Sequence, residues 1–190
     1  MKKDALRCFI AAPLTPAVAE RLEREIAFLQ LAGADVAWVK RAQFHLTLRF
    51  LGDVDPGDLP DIESAIEAAT QEASAARPMV RGVSAFPSVE DPKTVVALLD
   101  DEGGEIGGMH QALERQLRRA GFRPEKRNYR PHVTLGRVRG TRNLDEVARR
   151  MTEASERRFG LTDFDRLILY MSDQTPQGTL YTELRDFPLA

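Results

Sequence analysis

One tetrapeptide pattern occurs twice in this chain, as His45-Leu46-Thr47-Leu48 and as His132-Val133-Thr134-Leu135, 87 positions apart. The chain has 190 residues with only three histidines, so two of the three carrying a threonine at the same offset is not a composition effect. Both copies lie in apolar, β-prone stretches, 44–54 and 132–138, in which successive side chains alternate between faces. His45 and Thr47 therefore share one face, and Leu46 and Leu48 the other. The same holds for His132 and Thr134 against Val133 and Leu135. A fold for this chain must bury two aliphatic faces while leaving two imidazole and hydroxyl pairs accessible, and a duplicated fold would bring the pairs into one cleft.

The element pattern supports duplication. A strand is expected over Leu6–Ala12, then a helix that Thr15 caps and Pro16 opens, with the stripe Val18, Leu22, Ile26, Leu29. Strands follow at Ala34–Lys40 and His45–Asp53, with a helix at Leu59–Ala75 whose inner face carries Ile62, Ala65, Ile66 and Ala69. Strands at Met79–Phe86 and Thr94–Asp100 precede a helix over Glu105–Ala120 that Gly121 ends. The second motif strand follows, then a helix capped by Asn143, with Glu146 completing a capping box. Strands at Phe164–Met171 and Thr179–Phe187 flank a turn-rich segment, Ser172–Gly178. This reads as α+β: two pseudo-symmetric halves with antiparallel-rich sheets around a central cleft, in one domain over residues 1–190.

At 43% hydrophobic content the chain can bury a core without disulfides, and the single Cys8 reads as a buried strand residue in a reducing compartment. The start Met1-Lys2-Lys3 is basic like that of a signal peptide, but Asp4 and Arg7 interrupt it and Pro13 ends a short apolar stretch. A cytoplasmic protein without a membrane span is expected. Net charge is −2, yet ten basic residues against Glu125 alone occupy 115–142: Arg115, Arg118, Arg119, Arg123, Lys126, Arg127, Arg130, Arg137, Arg139 and Arg142. Such runs are usually solvated surface, and Arg115, Arg118 and Arg119 suit an exposed helix face. A basic rim for a polyanion near His132 is the functional alternative.

Two imidazoles can supply one acid and one base at neutral pH. A phosphodiester suits them, because its opening deprotonates a nucleophile on one side of phosphorus and protonates a leaving oxygen on the other. Thr47 and Thr134 can donate to the non-bridging oxygens, and Arg130, held extended by Pro131, can neutralise them. A lone histidine on a half-buried strand is more often structural; the repeated frame is what argues for chemistry. A metal centre is not expected, since His45, His110 and His132 lack local Asp, Glu or Cys partners, and His110 beside the stripe Ile106, Met109, Leu113, Leu117 is given no role. Phe50, Tyr129, Tyr170 and Tyr181 are candidate base-stacking residues, and Lys40, Arg49 and Arg137 candidate phosphate contacts.

The stretches Arg7–Ala11, Trp38–Lys40, His45-Leu46-Thr47-Leu48-Arg49-Phe50-Leu51-Gly52, Arg130-Pro131-His132-Val133-Thr134-Leu135-Gly136-Arg137, Leu169–Ser172 and Gly178–Tyr181 together resemble the two-histidine (2H) phosphoesterase superfamily. Within it the chain is most similar to the bacterial and archaeal RNA 2′,3′-cyclic phosphodiesterases, also called 2′-5′ RNA ligases. That resemblance implies a bilobal fold, no metal and no cofactor, and hydrolysis of an RNA-terminal 2′,3′-cyclic phosphate to a 2′-phosphate. It maps His45 to the proton donor, His132 to the proton acceptor, and Thr47 and Thr134 to phosphate binding. RNA ends, tRNA fragments among them, are the implied partners of a monomer, and reversal with a 5′-hydroxyl would give 2′-5′ ligation. A non-catalytic RNA-end binder and a phosphodiesterase of small cyclic nucleotides are the competing expectations.

Overall fold

The computed structural model describes residues 5–125, 128–176 and 178–189. It contains four helices, α1 (Pro16–Gln30), α2 (Leu59–Thr70), α3 (Glu105–Arg119) and α4 (Leu144–Glu153). Its strands are β1 (Leu6–Pro13), β2 (Val36–Trp38), β3 (His45–Val54), β4 (Met79–Pro87), β5 (Pro92–Leu99), β6 (His132–Val138), β7 (Arg158–Leu161), β8 (Arg166–Thr175) and β9 (Gly178–Pro188). They form one antiparallel sheet in the order β7-β4-β5-β6-β3-β1-β8-β9, with β2 also on β6.

That order is symmetric about the boundary between β6 and β3. Reading outward gives β6 with β3, β5 with β1, β4 with β8 and β7 with β9, and in sequence β1-α1-β3-α2-β4 is matched by β5-α3-β6-α4-β8. The duplication expected from the motifs is thus present as two α+β halves sharing a sheet. The apolar stripes do what their spacing predicts: Val18, Leu22, Ile26 and Leu29 of α1, Ile62, Ala65, Ile66 and Ala69 of α2, and Ile106, Met109, Leu113 and Leu117 of α3 are buried. Leu46, Leu48, Val133 and Leu135 join the same core.

Local expectations needed correction where long-range contacts compete. Asn143 takes a left-handed backbone (φ 52°) and makes no side-chain cap. Its amide donates to the carbonyls of Ala32 (3.0 Å) and Gly33 (3.3 Å), tying the start of α4 to the end of α1, while Glu146 is engaged by Arg149 and Arg150. Thr15 likewise makes no side-chain cap; its backbone N–H donates to the Thr162 hydroxyl at 3.0 Å. Ser172–Thr175 is strand, because β8 pairs with β9 through Thr175–Gly178. The α2 helix ends at Thr70, and β7, too short to show in the sequence pattern, adds an edge to β4. Lys126 and Arg127 lie outside the described residues.

Candidate active site

The two motif strands meet at one backbone pair, Leu46 with Val133. An antiparallel register through that pair sets Thr47 beside His132 and His45 beside Thr134, all four on the face opposite the buried aliphatics. His45 and His132 are then diagonal neighbours, about 7–8 Å apart in an ordinary ladder, a gap that suits a phosphate group. Beyond this pair the strands part. The second half of β6 is covered by β2, and Arg49 of β3 is held instead by the Arg123 carbonyl and by Glu114 of α3.

Each motif strand also carries a bulge at the same place. Thr47 and Arg49 pair with successive residues of β1, and Thr134 and Gly136 with successive residues of β5, so Leu48 and Leu135 are left without partners. An extra residue resets the alternation. Arg49 therefore turns from the cleft to an ion pair with Glu114 at 2.6 Å, with Glu125 at 3.4 Å. Phe50 and Arg137 return to the cleft in equivalent positions. Strict alternation misplaces Arg49, and a bulge has no local sequence mark here that would have warned of it.

The cleft has a volume of about 620 Å³ and is lined by Thr47, Thr134, His132, Arg130, Arg137 and Phe50, together with Phe86, Lys93, Thr94 and Tyr129. His45 lies deeper, its ring 4.8 Å from that of Phe9 and 5.3 Å, edge-on, from that of Tyr181. His132 meets the Phe86 ring edge-on at 4.9 Å, and the Arg130 guanidinium stands over the same ring at 5.2 Å. The two imidazoles are anchored alike: each Nδ1–H donates to the carbonyl two residues upstream, Gln43 for His45 (2.8 Å) and Arg130 for His132 (2.7 Å). That anchoring directs both Nε2 atoms away from the backbone and fixes which nitrogen can exchange a proton.

Burial lowers the pKa of His45 to about 4, assisted by the charge of His132 and opposed by the Gln43 carbonyl. His132 is also lowered, by burial first and by the charges of Arg130 and Arg137. Burial thus favours the neutral form of both imidazoles in the ligand-free protein.

Several sequence candidates lie elsewhere. Arg115 is paired with Glu72 at 2.7 Å, Arg118 and Arg119 are on the exposed face of α3, and Arg139 follows β6 away from the cleft. The basic run is mostly surface; from it, among the described residues, Arg130 and Arg137 line the cleft. Lys93 and Phe86, from β5 and β4, carried no motif that would single them out. Tyr129 does more than offer a ring: its hydroxyl donates to the Thr47 carbonyl at 3.1 Å, and its face stacks on His110 at 4.1 Å, which gives His110 a place in the wall behind the site. Among the described residues no three His, Cys, Asp or Glu side chains group as a metal site.

Fold and cleft together define a duplicated α+β protein with one His-x-Thr per repeat, the pairs meeting at the seam. Two copies of the family model described as "LigT like Phosphoesterase" match residues 13–97 and 98–181, so the chain belongs to the LigT-like phosphoesterase family. It is 32% identical to the RNA 2′,3′-cyclic phosphodiesterase of Methanothermobacter thermautotrophicus, over 97% of this chain and 99% of that one. It is 30% identical to the protein of the same name from Archaeoglobus fulgidus, over 96% and 99%. Among solved structures, a Thermus thermophilus protein superposes with a TM-score of 0.79 at 24% identity, covering 97% of this chain and 98% of that one. LigT of E. coli complexed with 3′-AMP gives 0.76 at 19% identity, covering 98% and 99%.

Proposed function

We propose that the protein hydrolyses RNA-terminal 2′,3′-cyclic phosphates to 2′-phosphates. The observation that carries this reading is the pair of imidazoles on one sheet face, each with Nδ1 tied to an equivalent carbonyl and Nε2 free for proton transfer. In the reaction a water oxygen attacks phosphorus opposite O3′, and its proton passes to Nε2 of His132. The P–O3′ bond breaks, and Nε2 of His45 delivers a proton to O3′. Thr47 and Thr134 donate to the non-bridging oxygens, and Arg130 offsets their charge. The assignment of donor and acceptor follows the family resemblance.

The reading extends to a reaction without metal or cofactor, to RNA ends including tRNA fragments, and to a monomer working in the cytoplasm, where the buried Cys8 thiol, pushed up to about 11, stays reduced. With a 5′-hydroxyl replacing water the same groups would run 2′-5′ ligation, which dilute solution disfavours. Supporting it are the names of the archaeal and bacterial relatives, and among the described residues no helix is long and apolar enough to cross a membrane. The test is incubation of adenosine 2′,3′-cyclic phosphate with the protein in EDTA: 2′-AMP should accumulate, whereas 3′-AMP or no product would defeat the proposal.

A pH profile follows from the lowered imidazoles. kcat/KM requires one ring protonated and one neutral in the free protein. Both rings titrate below their ordinary 6.5, so the doubly neutral form takes over as pH rises, and the kcat/KM maximum should lie on the acidic side of 6.5. In the complex the phosphodiester anion favours imidazolium, so both limbs of kcat should sit at higher pH than those of kcat/KM. A kcat/KM optimum near pH 8 or above contradicts this field.

A further inference from the structure

The pseudo-twofold breaks at a position behind the cleft wall. Arg49 and Gly136 are equivalent: each follows the bulge of its motif strand, and they pair with equivalent residues, Ile10 of β1 and Val95 of β5. On β6 the glycine makes room for β2, since a Cβ there would stand 2.6 Å from Val36 Cγ1 and 2.9 Å from Trp38 Cε3. The connector from α1 to β3 thus crosses to the other half on a backbone ladder, Val36–Trp38 against Gly136–Val138, and the Val39 N–H donates to the Leu135 carbonyl at 2.8 Å. The connector from α3 to β6 crosses the opposite way, onto β3, yet none of its described residues is strand. Side chains hold it instead. The Arg49 guanidinium donates to the Arg123 carbonyl and pairs with Glu114 at 2.6 Å and Glu125 at 3.4 Å, while the Glu125 N–H donates to the other Glu114 oxygen at 3.0 Å. The side chain of Arg49 is 11% exposed and that of Glu114 18%, so salt screens the pair weakly.

We infer that Arg49 is a positioning residue: a side-chain clasp that takes the place of a strand and pins residues 123–125 to β3, so that Tyr129 and Arg130, further along the same connector, meet the site in one arrangement. The inference rests on the cleft being the proposed phosphoesterase site. Contacts at that site depend on the arrangement. The Tyr129 hydroxyl donates to the Thr47 carbonyl, the Arg130 carbonyl accepts from Nδ1 of His132, and the Arg130 guanidinium stands over Phe86. Arg49 makes none of them itself, because the bulge has turned it out of the cleft. The anchor of His45 is independent of the clasp, since Gln43 lies on the connector that β2 ladders in place. A ladder of backbone groups survives most substitutions, whereas a clasp made by one fork of donors is lost with one side chain. A motif strand of the first half thereby sets the geometry of the histidine in the second.

The test combines kinetics with nitrogen NMR of the ligand-free full chain, in which labelled histidine rings report their tautomer. At about pH 8, above the titration of both motif rings, wild type should carry the proton of each on Nδ1. The double variant Arg49→Met/Glu114→Gln removes the clasp without leaving a mostly buried carboxylate unpaired. His132 should then show the mixed tautomers of an unanchored imidazole while His45 keeps its spectrum, an internal check that the sheet is intact. Its kcat on adenosine 2′,3′-cyclic phosphate should fall roughly 10- to 100-fold with KM changed less, the scale of a misplacement of about 1 Å. Glu114→Ala, which keeps the cation and loosens it, should move His132 the same way and bind inorganic phosphate no tighter than wild type. Tighter phosphate binding would mean that Arg49 serves the ligand directly, and it overturns the clasp. So does a His132 ring unchanged in the double variant, or a change in both rings alike. Altered His132 tautomers in a protein that hydrolyses no cyclic phosphate leave the clasp standing and sink the proposed activity. Unchanged rings with undiminished hydrolysis do the reverse.

Discussion

Alanine at His132 is expected to lower kcat on adenosine 2′,3′-cyclic phosphate about 10²–10⁴-fold, with KM changed far less, because the lost group acts on the proton moving in the transition state. Alanine at His45 should cost a similar factor. The double variant should be far less impaired than the product of the two losses, since acid and base serve one step. The pH profiles separate the roles. Without His132 the acidic limb of kcat/KM, which reports the group that must be neutral, should vanish; without His45 the alkaline limb should vanish. Each variant loses a hydrogen bond, to the Gln43 or the Arg130 carbonyl, and the ring contacts with Phe9 and Tyr181 or with Phe86, so unfolding curves should show a single cooperative transition at a lowered midpoint that leaves the protein folded at the assay temperature. Undiminished turnover in either variant removes the two-histidine mechanism.

The largest expected effect on stability is at Gly82, far from the chemistry. It has φ +77°, and a Cβ there would overlap the Ser155 backbone carbonyl, just past the end of α4. Its N–H donates to the Arg157 carbonyl at 2.9 Å and that of Val83 to the Ala154 carbonyl at 3.1 Å, so β4 is held against this segment on both sides of Ser155. Backbone strain of about 1–3 kcal/mol and overpacking of about 1–3 kcal/mol together give roughly 2–6 kcal/mol for Gly82→Ala, or about 4–24 °C in Tm. Gly52 is the control: φ is +73°, with nothing within 4 Å of an added Cβ, so Gly52→Ala should show the strain alone. Equal shifts in the two variants would mean that the Ser155 overlap relaxes at no cost.

The parts of the fold that were legible in sequence are those set by period. Two aliphatic faces, three helix stripes and two His-x-Thr frames were enough for an α+β duplication, since periodicity is a local record of which face is buried. What escaped was decided between distant segments. Nothing near Asn143 announces that its amide will reach Ala32 and Gly33, and nothing near Arg49 announces that a bulge at Leu48 will swing it to Glu114. The basic run, read as mostly solvated surface with a rim near His132 as the alternative, gives the cleft Arg130 and Arg137; charge along the chain says little about which side chains converge, and Lys93 enters the cleft from a strand that showed no basic cluster.

The two halves touch across the motif strands at one backbone pair, and each supplies one motif histidine. On the proposed mechanism neither half alone would supply both the acid and the base, so turnover would be a coincidence signal that both repeats have folded and docked. A chain cleaved or misfolded in one repeat would keep an intact His-x-Thr and be silent, and the activity doubles as a reporter of the seam.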